Sequence, residues 1–236
     1  MQRILATVRA AVDRYDMIQN GDTIAVGVSG GKDSVLLLYA LSRLSGFYPK
    51  SFKLHAVTLD MRFGGRDTDY SPLEAMCNEC GVSLTVKRTE LASIIFDIRQ
   101  EKNPCSLCAR MRRGALHDAA KELGCNKIAL GHHMDDAAQT VLMNMLCEGR
   151  IGCFAPVTYL SRKDITMIRP FVFTREKDIE RTVARLKLPV VKSACPADKA
   201  TTREAVGRLL DGLDKEYGTV TEKITGALQR GQIDKW

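Results

Sequence analysis

The residues Ser29-Gly30-Gly31-Lys32-Asp33-Ser34 constrain this chain more than any other stretch. They follow a short, β-branched apolar run at 23–28, which reads as a buried strand. They precede a leucine-rich run at 35–41 of helical length. Two glycines at a strand-to-helix turn let backbone N–H groups approach an anion with no side chain between. The helix N-terminus adds unpaired donors and a partial positive charge. Lys32 adds a full charge, and Ser29 and Ser34 add hydroxyls. The stretch therefore reads as a phosphate cradle; a plain Gly-Gly turn needs neither the lysine nor both serines. It is not a G-x-x-x-x-G-K-[ST] loop. Counting back from Lys32, Gly27 is one residue too close, and Asp33 stands where Ser or Thr would hold magnesium.

The remaining pattern alternates strands and helices. An opening helix is expected over 2–17, and strands near 23–28, 52–59, 82–88, 127–130 and 166–168. Helices are expected from Ser71, from Cys108 to about 123, over 136–147, and over 174–186 with Thr174 as cap. Residues 94–100 fit no element, Val190-Val191 begins a last strand or extended segment, and the tail over 201–229 is mostly helical. This order implies an α/β, Rossmann-like parallel sheet with helices on both faces and short helical additions at each end. The expected division is an N-terminal helix over 1–20, an ATP-binding catalytic domain over 21–192, and a third-cysteine loop with helical tail over 193–236. Ligands of such sheets bind beyond the carboxyl ends of the strands. The cradle, Asp60 and the loop from Gly131 to Asp136 all sit at such ends, so they can meet in one crevice.

Composition narrows the function classes. At 236 residues and 45% hydrophobic, the chain has enough apolar material for a real core, which excludes disorder. No run approaches the ~18 apolar residues of a membrane span, and the first twenty residues lack a signal-peptide core, so a cytoplasmic protein is expected. Eight cysteines then read as reduced thiols or metal ligands rather than disulfides. A net charge of +7 favours a polyanionic partner such as nucleic acid.

Three further groups carry chemistry. Cys105-Ser106-Leu107-Cys108, read as a loop, has the spacing to hold one metal ion or two corners of a cluster. Arg110, Arg112 and Arg113 follow it directly and could lower thiolate pKa or grip phosphate. A second C-x-x-C, Cys77 and Cys80, sits at a helix end facing the sheet and reads as small core residues. In Gly131-His132-His133-Met134-Asp135-Asp136, Asp135 reads either as a helix cap or as a carboxylate holding Mg²⁺ on ATP, and His132 as a group positioning backbone or phosphate.

Taken together, S-G-G-K-D-S at Ser29, P-C-S-L-C-A-R-M-R-R-G at Pro104, G-H-H-M-D-D at Gly131 and one late cysteine, Cys195, resemble the tRNA 2-thiocytidine synthetases (the TtcA family) of the PP-loop ATP pyrophosphatases. The likeness runs over about 2–198. It implies the PP-loop fold and three groups of site residues. Cys105, Cys108 and Cys195 would hold a [4Fe-4S] cluster whose fourth iron is open to sulfide. Ser29, Gly30, Gly31, Lys32, Asp33 and Ser34 would cradle the pyrophosphate of ATP with Mg²⁺, and Asp60, Gly131 and His132 would border the nucleotide. Lys32, Asp33, Asp135 and Arg112 would act in catalysis. The resemblance further implies adenylation of a base carbonyl at cytidine 32 of tRNA, then replacement of oxygen by sulfur from inorganic sulfide or a donor protein, in a homodimer. The late loop, A-C-P-A-D-K, is poorer in cysteine than in the better-known members. That departure leaves thiolation of a tRNA uridine, or a cluster-free reaction such as lysidine synthesis, as alternatives. A non-catalytic zinc protein that binds RNA would leave residues 29–34 without a purpose.

Overall fold

The computed structural model describes residues 1–99, 104–191, 195 and 202–236. Its frame is a six-stranded sheet in the order β3-β2-β1-β4-β6-β5. The strands are β1 (Asp22–Gly27), β2 (Phe52–Asp60), β3 (Ser83–Arg88), β4 (Lys127–Ala129), β5 (Val157–Leu160) and β6 (Ile165–Ile168). β1 pairs in parallel with both β2 and β4, β2 with β3, and β4 with β6. Among the described strands, only β5 runs antiparallel, as a hairpin on β6. Sequence order runs outward from β1 to β3, then returns to β4 on the other side of β1. The strand order therefore switches between β1 and β4, which opens a crevice at their carboxyl ends.

Burial follows the two-residue period of a strand. Ile24 and Val26 of β1 enter the larger core, with α1 (Gln2–Arg14), α2 (Lys32–Ser45), α3 (Ser71–Glu79), α5 (Met134–Glu148) and α6 (Glu176–Leu186). Ala25 faces the opposite side, where Ala119 and Ala120 of α4 (Pro104–Glu122) pack over Val57 and Ile128. Helices thus cover both faces, as the strand–helix alternation implies.

The structure departs from the sequence reading in several places. Cys105 and Cys108 lie in the first turn of α4 rather than on a loop, because Pro104 sits at the helix start, where a missing N–H costs nothing. Residues 93–98 form a π-helical turn whose Ile95 packs with Leu107, Met61 and Ala92 in a small separate core. β5 was not expected at all. α6 begins at Glu176 after Arg175; the Thr174 hydroxyl instead meets that of Thr7 at 2.7 Å. Val190 and Val191 belong to no strand. The tail forms α7 (Thr202–Tyr217) and α8 (Val220–Arg230), and both pack on α5. Leu228 and Trp236 join the main core, so this tail shares the sheet's core. The domain boundary expected at 192–193 falls outside the described residues, as do the neighbours of Cys195 at 192–194 and 196–201. Among the described residues no helix is long and apolar enough to cross a membrane.

Candidate active site at the β1–β4 switch point

A cavity of about 550 Å³ opens where the strand order reverses. Its floor is Gly27, Val28, Ser29, Asp33 and Ser34, with Val57 and Leu59 from β2. Leu130, Gly131, His132 and Asp136 close the β4 side; Ala109, Arg112, Arg113 and Leu116 of α4 form another wall, and Arg203 enters from α7. The volume suits a nucleotide-sized ligand.

The cradle is held by its own hydroxyls. Ser34 Oγ donates to Gly31 O at 2.9 Å, accepts from Ser29 N at 3.1 Å and meets Ser29 Oγ at 3.2 Å. Gly30 adopts φ +87°, and a Cβ there would lie 2.9 Å from the Val191 Cβ, so only glycine fits. The Val191 N–H donates to Gly30 O at 3.0 Å, which pins the chain leading toward Cys195 onto the cradle. A Cβ on Gly131 would sit 3.2 Å from the Asp33 carbonyl carbon and 3.3 Å from Ser34 N. The two strand-end loops therefore touch backbone to backbone.

Charges around the cradle are mostly paired. Lys32 Nζ lies 2.6 Å from Glu176 Oε1 and 3.4 Å from Asp33. Burial works against its charge, but the Glu176 and Asp33 carboxylates outweigh it and raise the pKa. Asp33, His133 and Glu176 bring ligand-type atoms within 4.8 Å of one another, and Asp33 Oδ1 is buried with no hydrogen-bond partner. His133 caps α5 in a reciprocal box with Asp136. The cap expected of Asp135 thus belongs to His133 and Asp136. Burial lowers the His132 pKa to about 4, against the pull of Asp136. His132 is therefore neutral at pH 7, its ring centroid 5.1 Å from that of Phe154 at a 44° tilt, with its Nδ1 making no hydrogen bond.

Two expected ligands are engaged elsewhere. Asp60 accepts from Arg62 N at 3.0 Å and from Thr68 N and Oγ1 at 3.0 and 3.1 Å, so its carboxylate ties the 60–68 loop and Leu59 lines the cavity instead. Asp135 accepts from Arg175 Nε at 3.0 Å and from the Glu176 N–H at 2.7 Å, and Asp136 takes its place at the cavity. Arg175 also binds Asp214 at 2.8 Å and Glu222 at 2.5 Å, joining α5, α6, α7 and α8. Burial opposes its charge, yet the bonds to Asp214, Glu222 and Asp135 raise its pKa. Arg175→Ala should destabilise the fold by about 3 kcal/mol in urea unfolding, since it strands buried carboxylates. The Asp135 pKa is lowered: burial opposes this, but bonds from His133, the Glu176 N–H and Arg175 prevail. Its stabilisation is present above the unfolded-state value of about 4 and is lost as pH falls through the folded value. Arg175→Ala should flatten that acid limb.

The likeness to known proteins is extensive. The model of the PP-loop domain family matches residues 4–211. A tRNA-cytidine(32) 2-sulfurtransferase of Syntrophotalea carbinolica is 37% identical over 92% of this chain and 85% of that protein. One of Geobacter sulfurreducens is 36% identical over 96% and 89%. The chain belongs to this family of PP-loop tRNA sulfurtransferases. Among solved structures, the U34-tRNA thiolase NcsA of Methanococcus maripaludis, determined with its [4Fe-4S] cluster, aligns with TM-score 0.80 and 27% identity over 97% of this chain and 77% of that one.

The cysteines occupy different settings. Cys105 and Cys108 share one face of the first turn of α4, one turn before Arg112. Burial raises the Cys108 pKa, Arg112 opposes this, and Cys195 and Cys105 push it higher still, so the Cys105 and Cys195 sulfurs each lie within electrostatic reach of Cys108. None of the three is in a disulfide. Three reduced thiols, two of them within electrostatic reach of the third, are the donor type an iron–sulfur cluster with one iron free of protein ligands would need. Cys77, by contrast, lies in the main core, and burial pushes its thiol up to about 11. Sequence reasoning missed Glu176, Asp136 and Arg203. Asp136 lay in a motif already noted, whereas Glu176 and Arg203 carried no local signal.

Proposed function

We propose that the protein thiolates C2 of cytidine 32 in tRNA, with ATP activated in the cavity and sulfur delivered from the site of the thiols at the neighbouring start of α4. The observation that supports this reading is the double use of α4. Its Arg112 and Leu116 line the nucleotide-sized cavity, and its first turn carries Cys105 and Cys108.

In the first stage, the base carbonyl oxygen attacks the α-phosphorus of ATP. The bond from that phosphorus to the bridging oxygen breaks, and pyrophosphate leaves onto Ser29, Gly30, Gly31, Lys32, Asp33 and Ser34. Backbone N–H groups of the cradle and the Lys32 ammonium take up the charge on the leaving group. Mg²⁺ would enter with the phosphates. Asp33, whose Oδ1 makes no hydrogen bond but forms a 3.4 Å ion pair with Lys32, offers it a carboxylate, whereas both Asp135 oxygens are hydrogen-bonded to Arg175 and Glu176. Gly131 lets the cradle and the β4 loop close on each other, and neutral His132 borders the nucleotide without adding charge. Arg112, lining the same wall, grips phosphate of the substrate.

In the second stage, sulfide attacks C2, the C–O bond breaks and AMP departs, leaving a thiocarbonyl. A [4Fe-4S] cluster on Cys105, Cys108 and Cys195 would supply an iron with an open position that presents sulfide as nucleophile. Sulfur reaches it as inorganic sulfide or from a donor protein.

Mass analysis of nucleosides from tRNA treated with the anaerobically purified protein, ATP, Mg²⁺ and sulfide tests the reading. Accumulation of 2-thiocytidine is expected. 2-Thiouridine in its place would move the target base, and ATP consumption with no thionucleoside would overturn the sulfur chemistry.

A further inference from the structure

Arg203 reaches the cavity from α7, 67 residues along the chain from Asp136. We propose that Arg203 is a catalytic residue that contacts the α-phosphate of the bound nucleotide; this rests on the adenylation reading above.

The argument begins with the charge balance around the cradle. An attack at the α-phosphorus builds negative charge on the oxygens of that phosphorus as well as on the leaving pyrophosphate. Lys32 of the cradle and Arg175, the neighbour of Glu176, are already held. Lys32 lies 2.6 Å from Glu176, and Arg175 is shared among Asp135, Asp214 and Glu222 at 2.5 to 3.0 Å. Arg203 is held differently. Among the described residues its hydrogen bonds are to the Asp136 carbonyl, Asp136 Oδ1 and Thr140 Oγ1, each at 3.4 Å, which is the long limit of a hydrogen bond. The other Asp136 oxygen accepts from the His133 N–H at 3.0 Å and belongs to the α5 cap. The Arg203 side chain is 42% exposed, so moving its guanidinium by a fraction of an ångström breaks no strong bond and buries no charge.

The setting suits an oxyanion. Arg203 lines the same cavity as Ser29 and Ser34 of the cradle, and Arg112 and Arg113 of α4 line it too. A phosphate there meets guanidinium groups from two separate helices. The planar fork of arginine can bind two non-bridging oxygens at once, which a lysine cannot. Neutral His132, which lines the same cavity, leaves the local field to the arginines. The competing role for Arg203 is a tie between α5 and α7, and its weak contacts make that role small.

The test compares Arg203→Ala and Arg203→Lys with Thr140→Val, which removes one of the 3.4 Å contacts but no charge. Two readouts are used: binding of a non-hydrolysable ATP analogue by equilibrium dialysis, and tRNA-dependent pyrophosphate release. Arg203→Ala should weaken binding about 10-fold and slow pyrophosphate release about 100-fold or more. Arg203→Lys should restore binding better than rate, and Thr140→Val should match the parent in both. Binding and release within about threefold of the parent for Arg203→Ala would overturn the assignment, as would an equal loss in Thr140→Val. If the parent protein releases no pyrophosphate with tRNA, the adenylation reading fails on its own, and Arg203 is judged on the binding ratio alone.

Discussion

Cys108→Ala protein, purified without oxygen and reconstituted with iron and sulfide, is expected to hold no [4Fe-4S] cluster and to leave tRNA unthiolated. Cys105→Ala and Cys195→Ala should behave alike. Cys105 and Cys108 come from one helical turn, and Cys195 comes from a segment some 87 residues further on. Two thiolates on one turn cannot hold a cubane cluster that needs cysteine at three of its irons. Burial keeps the Cys108 thiol protonated at neutral pH, so metal binding must displace its proton, and the affinity depends on all the thiolates acting together. Cys77→Ala supplies the control, because that side chain lies in the main core among apolar neighbours. Iron and labile sulfide content, read beside the visible absorption band, decide the matter without reference to activity. A Cys195→Ala protein with its full iron and sulfide would show that the third ligand lies elsewhere.

The second large effect concerns the cradle. Lys32→Ala should slow tRNA-dependent pyrophosphate release by about 10²–10³-fold, the range for removing one preorganised charge from a developing anion, while iron content stays unchanged. Glu176 and Asp33 hold Lys32 in its charged form, so a full positive charge stands at the N-terminus of α2 throughout the neutral range. Glu176→Gln separates the two functions of this lysine. It weakens the ion pair yet keeps the ammonium, and should retain most of the rate. If Glu176→Gln and Lys32→Ala lose activity equally, the lysine matters only as a structural partner, and the charge argument fails.

How much of this was legible beforehand differs from element to element. β1, the cradle and α2 could be read directly, because a buried strand, a Gly-Gly turn and a leucine-rich helix each carry their signal within a few neighbouring residues. The same holds for the helix N-terminus beside Gly131. β5 escaped notice because four residues with exposed Tyr159 among them form an edge hairpin, whose stability comes from pairing with β6 rather than from its own pattern. The C-x-x-C looked like a loop because Pro104 ends most local structure; here it opens α4. Asp135 and Asp60 looked like ligands because their position at strand ends was correct. Their hydrogen bonds to Arg175, Glu176, Arg62 and Thr68 depend on chain segments that no local pattern joins to them.

The sequence alone determined the fold class and the strand, Gly-Gly turn and helix around residues 29–34, since each depends on residue type and spacing over one or two turns of chain. Only the tertiary structure decided which carboxylates are hydrogen-bonded to distant segments, and that α4 both lines the cavity and carries Cys105 and Cys108. It also decided that Arg203 arrives from α7 to complete the wall. The reason is physical: hydrogen bonds and ion pairs are settled by distances of a few ångströms, and those distances are set by how the helices pack across the sheet.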